Sequence, residues 1–482
     1  MKSVDLAHLR NVVLAGHSGS GKTTLGEHIL HAAAAIPRLG RVGDGTASLD
    51  FEPEEQKRQL SLSLAVGTFE RDGFRITMVD TPGYADFVGE VVEGFEAADA
   101  ALICMDASGG VEAGTETAIA LGRRLHTAAL FVLTRCDREN ADPTRALDAL
   151  RAEFGTKIAP LHVAVGRANH FDGFVDLVHR KAYQYDKGVR TEVPIPSELE
   201  AEVVKRRDQL LEAAAEADDD VLTKYLEGEE ITDEELEACL HKGVREAILA
   251  PVVVTSAEKN VGIDDLMDSI AKYLPSPGEE PPVIATDGKG VEVEVAPDRS
   301  GPLLVRVFKT TADPFVGRLS YIRVLSGVLR TNDHVWNAER GEDERIGQIL
   351  LLHGKDQEPA GELGAGEIGA VPKLAHTHTG DSLSTKERPL RLPPMVFPPP
   401  TLPVAIEPQT KADLDKMGTA LARLLEEDPT VRLDRPADTG EQVLYAQGEN
   451  QIAVTVERLK RKFGAAIVTR TPRVPYRETI RG

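Results

Sequence analysis

The chain has 482 residues, enough for about three domains of typical size, and its 41% hydrophobic and 28% charged composition excludes disordered, collagen-like and membrane classes. Lys and Arg number 56 against 78 Asp and Glu, a net charge of −22, so long-range repulsion argues against coating free DNA. No apolar run approaches the roughly 18 residues of a membrane helix, and no signal peptide or lipidation box is visible at either end. Three cysteines, Cys104, Cys136 and Cys239, lie far apart and outside any CxxC, which fits a reducing, cytoplasmic setting.

Two proline-rich stretches, 275–282 and 393–400, divide the chain and read as linkers, because proline removes ladder donors and fixes φ. The expected domains are 1–275, 285–392 and 400–482. In the first, compact apolar runs at 11–15, 76–79, 100–105, 129–133 and 252–255 alternate with helical patterns, as a covered parallel sheet requires. An insertion from about Gly155 to Arg245 interrupts the rhythm with acidic helical sequence; its Lys205-Arg206-Arg207 reads as a solvated helix face. In the second domain the period becomes two, at Leu303 to Phe308 and Ser320 to Leu325, which suggests a small β-barrel. The third reads βαββαβ, a ferredoxin-like pattern, with Leu414, Met417, Leu421, Leu424 and Leu425 as the core stripe of its first helix. Its Lys460-Arg461-Lys462 also reads as a solvated face.

Gly16-His17-Ser18-Gly19-Ser20-Gly21-Lys22-Thr23 matches GxxxxGK[ST] between a strand and a helix, with Thr24 next in the first helical turn. Its glycines let backbone N–H groups converge on phosphate oxygens, Lys22 adds charge at the β/γ-phosphates, and the Thr23 hydroxyl suits Mg²⁺. Asp80-Thr81-Pro82-Gly83 ends a neighbouring strand, where the acid can hold Mg²⁺ through water and the Gly83 amide can meet a γ-phosphate. Thr134-Arg135-Cys136-Asp137 ends another, and a carboxylate there can accept from N1–H and the 2-amino group of guanine together. Ser256 and Ala257, after a later strand, can offer backbone N–H to the base.

Taken in order, these segments resemble the translational GTPases. From Leu9 to Ile480 the chain is similar to the first three domains of the elongation factor G family, nearest its divergent bacterial elongation factor G-like (elongation factor G-2) paralogue. Asp313-Pro314-Phe315-Val316-Gly317, Val324-Leu325-Ser326-Gly327, Thr410-Lys411-Ala412-Asp413, Glu427-Asp428-Pro429 and Tyr476-Arg477-Glu478-Thr479-Ile480 carry the likeness in the second and third domains. The resemblance implies a multidomain fold: a GTP-binding α/β domain with an insertion, a translation-factor β-barrel and a ferredoxin-like α+β domain. It implies GTP/GDP and Mg²⁺ as cofactors, the ribosome as partner, and a monomer.

Departures from the family pattern mark the site. The base motif Asn-Lys-x-Asp is Thr134-Arg135-Cys136-Asp137, and the switch-one Arg-Gly-Ile-Thr is Arg58-Gln59-Leu60-Ser61, which makes Ser61 the expected Mg²⁺ ligand with Thr23 and Asp80. The family's Asp-Thr-Pro-Gly-His is Asp80-Thr81-Pro82-Gly83-Tyr84, so Tyr84 takes the place of the histidine that the family uses to orient water. GTP hydrolysis is expected to use Lys22, Thr23, Ser61, Asp80 and Gly83, slowed by Tyr84. The alternative is a GTP-dependent ribosome-binding protein with negligible turnover. The resemblance stops before the family's fourth and fifth domains, so translocation by these 482 residues is not expected.

Overall fold

The computed structural model describes residues 4–313 and 317–475. Pro314 to Val316 and Tyr476 to Ile480, which carry part of the family likeness, lie outside the described residues.

The first domain is built on strands β1 (Leu9–Ala15), β2 (Ala65–Arg71), β3 (Phe74–Asp80), β4 (Ala100–Asp106), β5 (Ala128–Thr134), β6 (Ile158–Pro160) and β11 (Ala250–Val254), in the order β2-β3-β1-β4-β5-β11-β6. All neighbours are parallel except β2 with β3. Strand β1 is buried along its whole length because alternate residues serve two cores. Val12 and Leu14 pack with Leu25 and Ile29 of helix α1 (Lys22–Ala32). Val13 and Ala15 pack with residues of helices α3 (Val88–Ala97), α4 (Ala113–Leu125) and α5 (Pro143–Phe154), among them Phe95, Ala118 and Leu147. A short helix α2 (Pro53–Arg58) precedes β2. The apolar runs of the sequence are continuous because both faces of this sheet are covered.

The insertion starts later than the sequence suggests, since β6 pairs with β11 and belongs to the main sheet. Beyond it, strands β7 (His162–Val165), β8 (Gly173–Asp176), β9 (Lys181–Asp186) and β10 (Val189–Val193) form an antiparallel sheet that periodicity did not reveal. Helices α6 (Glu200–Ala215), α7 (Asp219–Glu227) and α8 (Asp233–Arg245) follow, and α9 (Ile263–Tyr273) returns to the main layer. Of Lys205-Arg206-Arg207 only Lys205 faces solvent. Arg206 is buried and pairs with Asp148 at 2.7 Å and Glu202 at 2.6 Å, and Arg207 donates to the Leu177 and Val178 carbonyls. A cation inside an acidic chain finds partners nearby, and pairing is what makes its burial tolerable.

The second domain is β-rich. Strands Leu304–Asp313 and Gly317–Ser326 pair antiparallel and pack Val305, Val307, Ile322 and Val324 against Leu329, Val335, Ile349 and Leu383. A bridge between His353 and Gly67 carries the main sheet into this domain. The first linker is firmer than expected: Pro277–Glu279 forms a 3-10 turn, whose Glu279 carboxylate accepts from the Ser276 amide and hydroxyl.

In the third domain, α10 (Lys411–Glu427) and α11 (Glu449–Phe463) cover a four-stranded antiparallel sheet, in the βαββαβ order read from the sequence. Met417, Leu421 and Leu424 join Ile406, Leu444 and Leu459 in its core, whereas Leu414, in the first turn of α10, is 55% exposed.

Buried charge joins the domains. Lys309, from the second domain, pairs with Glu90 and, at 3.0 Å, with Glu93, both on α3. Arg323 pairs with Asp99, which also accepts from Asn11 at 2.9 Å. Burial pushes Glu93 well above the usual carboxylate range against the pull of Lys309. Replacing Lys309 with Ala would leave Glu90 and Glu93 uncompensated and should destabilise the chain by about 3–5 kcal/mol. The first unfolding transition in a urea titration should move to correspondingly lower denaturant.

Candidate functional site

The segment Gly16–Gly21 turns tightly between β1 and α1. Gly16 lies at φ +137°, and a Cβ there would sit 2.3 Å from the Cys104 carbonyl oxygen, so only glycine lets the loop leave the sheet so close to β4. Lys22, at the start of α1, donates to the Gly16 and His17 carbonyls at 3.0 and 2.8 Å, folding its ammonium back over the loop. Burial pushes its pKa down, against the pull of Asp80. The His17 ring accepts from the Gly114 amide at 3.3 Å and so touches the start of α4. Ser20 is buried, Ser18 and Thr24 are half-buried, and Gly19 is exposed.

Three expected metal-side residues meet at this point. The Thr23 and Ser61 hydroxyl oxygens are 2.9 Å apart although their residues come from α1 and from the segment after α2. Asp80 ends β3 beside Leu14 of β1. Its Oδ1 is buried without a hydrogen-bond partner. A Cβ on Gly83 would lie 2.5 Å from Lys22 Nζ and 2.6 Å from the Ser18 amide nitrogen, so this glycine backbone rests directly on the loop. Tyr84 follows at the surface, 40% exposed, and its hydroxyl makes no hydrogen bond among the described residues.

Sequence reasoning missed a second buried acid. Asp50 is 3% exposed, and neither of its oxygens has a hydrogen-bond partner. Burial raises its pKa to about 6, partly offset by the nearby Ser61 hydroxyl. Burial and then Asp50 raise Asp80 to about 7, with Thr23 and Lys22 opposing. Glu55 braces the same segment: it accepts from the Leu62 and Ser63 amides at 2.9 and 3.0 Å and from the Glu52 amide at 3.0 Å. No local pattern marks Asp50, because its role arises only when the segment folds back onto α1. Three unpartnered carboxylate oxygens, two of Asp50 and one of Asp80, beside two hydroxyls are a hard oxygen donor set, which fits Mg²⁺.

At the base corner, Asp137 accepts from the Ser256 hydroxyl at 2.7 Å. Thr134, expected at the purine edge, donates instead to the Ser20 carbonyl at 2.5 Å and the Met105 carbonyl at 3.1 Å, tying β5 to the loop. Arg135 adopts a left-handed conformation (φ +56°), lies over Gly21 and reaches Asp106 at 3.2 Å. The Ser256 amide bonds the Val261 carbonyl at 3.0 Å, so Ser256 serves through its hydroxyl, and of the expected amide pair only the half-buried Ala257 is left to face a base.

Lys460-Arg461-Lys462 is solvated only in part: Lys460 and Arg461 are exposed and Lys462 is half-buried. Arg461 pairs with Glu52 and Glu54, each at 2.6 Å, and Lys462 with Glu427 at 2.9 Å. Arg458 donates to Ser63 at 2.8 Å, and Lys57 and Arg58 pair with Glu457. Asp86 accepts from the Asn450 amide at 2.9 Å at the start of α11. Apart from the Lys462–Glu427 pair, which lies within the third domain, these groups face one another across one domain junction.

The raised values for Asp50 and Asp80 set a pH dependence. Both carboxylates hold protons more tightly folded than unfolded, so the stability they contribute is present below about pH 4 and is lost as pH rises through about 6 to 7. Without ligand, Asp80→Asn should therefore gain thermal stability over the parent as pH rises from 5 to 8, by on the order of a few kcal/mol. Added Mg²⁺ should narrow the difference. Thermal midpoints across that pH range measure both effects.

Comparison with known proteins gives three matches in chain order. Residues 7–276 match the elongation factor Tu GTP binding domain, 302–386 match elongation factor G domain 2, and 397–471 match elongation factor G domain III. The crystal structure of a protein from Thermus thermophilus superposes with a TM-score of 0.89 at 38% identity, over 98% of this chain and 69% of that one. With its GTP-binding domain, β-rich domain and α+β domain in that order, the chain belongs to the translational GTPases of the elongation factor G type.

Proposed function

We propose that this chain binds GTP and GDP with Mg²⁺ and acts at the ribosome as a slow GTPase related to the elongation factor G-like (elongation factor G-2) paralogue. The observation that carries the reading is the meeting of Lys22, Thr23, Ser61, Asp80 and Gly83 at one end of β1. In this reading the amides of Gly16 to Lys22 cradle the phosphates, Lys22 places charge at the β/γ-phosphates, and Thr24 supports the first turn of α1. Thr23, Ser61 and Asp80 would hold Mg²⁺, which when bound neutralises phosphate charge. Asp137, held by Ser256, reads the guanine N1–H and 2-amino group. Arg135 lies between loop and base, Thr134 braces the loop, and the Ala257 amide faces the base. The functional units are 1–275, 285–392 and 400–482, working as a cytoplasmic monomer.

Hydrolysis needs a water aimed at the γ-phosphorus. A phenol at position 84 reaches further than an imidazole and donates where an acceptor is wanted. Losing such positioning costs two to four powers of ten, about 3–5 kcal/mol of barrier. The free Tyr84 hydroxyl also favours a second reading, a GTP-dependent ribosome-binding protein whose turnover is negligible.

Tyr84→His tests both in a ribosome-stimulated phosphate-release assay. The proposal expects measurable release from the parent chain and a rise of about tenfold or more in the variant. An unchanged or lower rate, with GTP and ribosome binding intact, contradicts the role given to Tyr84. Binding of GTP and ribosome without detectable release from the parent favours the second reading.

A further inference from the structure

One buried carboxylate near the loop belongs neither to the nucleotide-contacting set nor to an ion pair. Glu27 sits on α1, fully buried. Its Oε1 accepts from the Ser48 amide at 2.7 Å, the Ser48 hydroxyl at 2.6 Å and the Leu49 amide at 2.9 Å, and its Oε2 accepts from the Gly40 amide at 3.2 Å. Every one of these donors lies in the stretch 40–49, which ends immediately before Asp50.

The helix geometry explains the placement. Thr23 and Glu27 are four residues apart on α1 and therefore share a face. That face meets the stretch 40–61 twice, through Ser61 on the Thr23 hydroxyl and through Gly40, Ser48 and Leu49 on Glu27. Ser48 is gripped from the other side as well, since the Lys355 amide of the second domain donates to its carbonyl at 3.2 Å. A buried carboxylate that accepts four hydrogen bonds is a strong local restraint, because losing it strands the donors away from water.

We propose that Glu27 is a positioning residue. It latches the segment 40–49 onto α1 and thereby fixes Asp50 beside Asp80, Thr23 and Ser61. The proposal rests on the nucleotide reading above. The loop and the base corner lie outside the segment, so they can hold a diphosphate without it. Asp50 and Ser61 lie in the stretch 50–61 that continues the segment, so the triphosphate complex with its metal needs the latch closed. Lys355 extends the same latch to the second domain.

The test uses the full chain, with limited trypsin digestion at Arg41, whose side chain is 65% exposed next to the latched Gly40. The parent should be protected by a non-hydrolysable GTP analogue with Mg²⁺. Under the same conditions Glu27→Ala should be cut about fivefold faster or more, because cleavage follows the open population. It should bind the analogue about tenfold more weakly while its GDP affinity stays within about twofold. Ser48→Ala, which removes one of the four bonds, should shift both readouts the same way by about two- to threefold and serves if Glu27→Ala does not fold. Protection equal to the parent in both variants overturns the proposal. An equal loss of GDP and analogue affinity also overturns it, because that is the mark of a prop for α1 alone. A parent chain without nucleotide-dependent protection would remove the nucleotide reading and the latch with it.

Discussion

Negative charge buried beside the phosphate loop is the constraint around which this molecule is arranged. Both carboxylate oxygens of Asp50 and Oδ1 of Asp80 lie out of water without hydrogen-bond partners, next to Thr23 and Ser61 and within reach of one buried ammonium, that of Lys22. Burial of unpaired carboxylates costs several kcal/mol each, so it persists only where surrounding structure compels it or a cation completes it. Here the first condition is visible. Glu27 and Glu55 fix the backbone on either side of Asp50, and the donor set that results is one that suits a hard divalent ion.

The same segment is where the third domain is attached. Arg458 and Arg461 of α11 reach Ser63, Glu52 and Glu54, while Lys57 and Arg58 reach back to Glu457. Partly exposed pairs of this kind contribute about 0–1 kcal/mol each, so the junction can be tight without being permanent. Lys309 with Glu90 and Glu93 is different because it is buried. It holds the first and second domains through groups that cannot be separated without stranding charge. Any change at the metal side of the loop that moves the segment 40–63 therefore acts on contacts to both other domains.

Much of this was legible in the sequence and some was not, for physical reasons. The phosphate loop, Asp80 and Asp137 were readable because each sits at the end of a buried strand, where a short apolar run fixes its place. The βαββαβ order of the third domain was readable from period alone. The strands of the insertion were not, because they are short and lack a continuous apolar run. The basic runs 205–207 and 460–462 were read as solvent-facing throughout, which holds for Lys205, Lys460 and Arg461 but misses the pairing of Arg206, Arg461 and Lys462, since Asp148, Glu52, Glu54 and Glu427 lie far away in sequence. Asp50, Glu27 and Glu55 escaped for the same reason. A buried acid looks like any other acid until the fold supplies its neighbours. Thr134 shows the opposite limit: its position was right, but its hydroxyl is spent on the loop.

The central claim is that this loop and its acids form a Mg²⁺-dependent GTP site. Calorimetric titration of GTP into the parent chain and Lys22→Ala, with and without Mg²⁺, tests it most directly. The account predicts metal-dependent binding by the parent and an affinity at least about tenfold lower in the variant, about 1.4 kcal/mol or more. Equal affinity in the two chains, or binding indifferent to Mg²⁺, would contradict it.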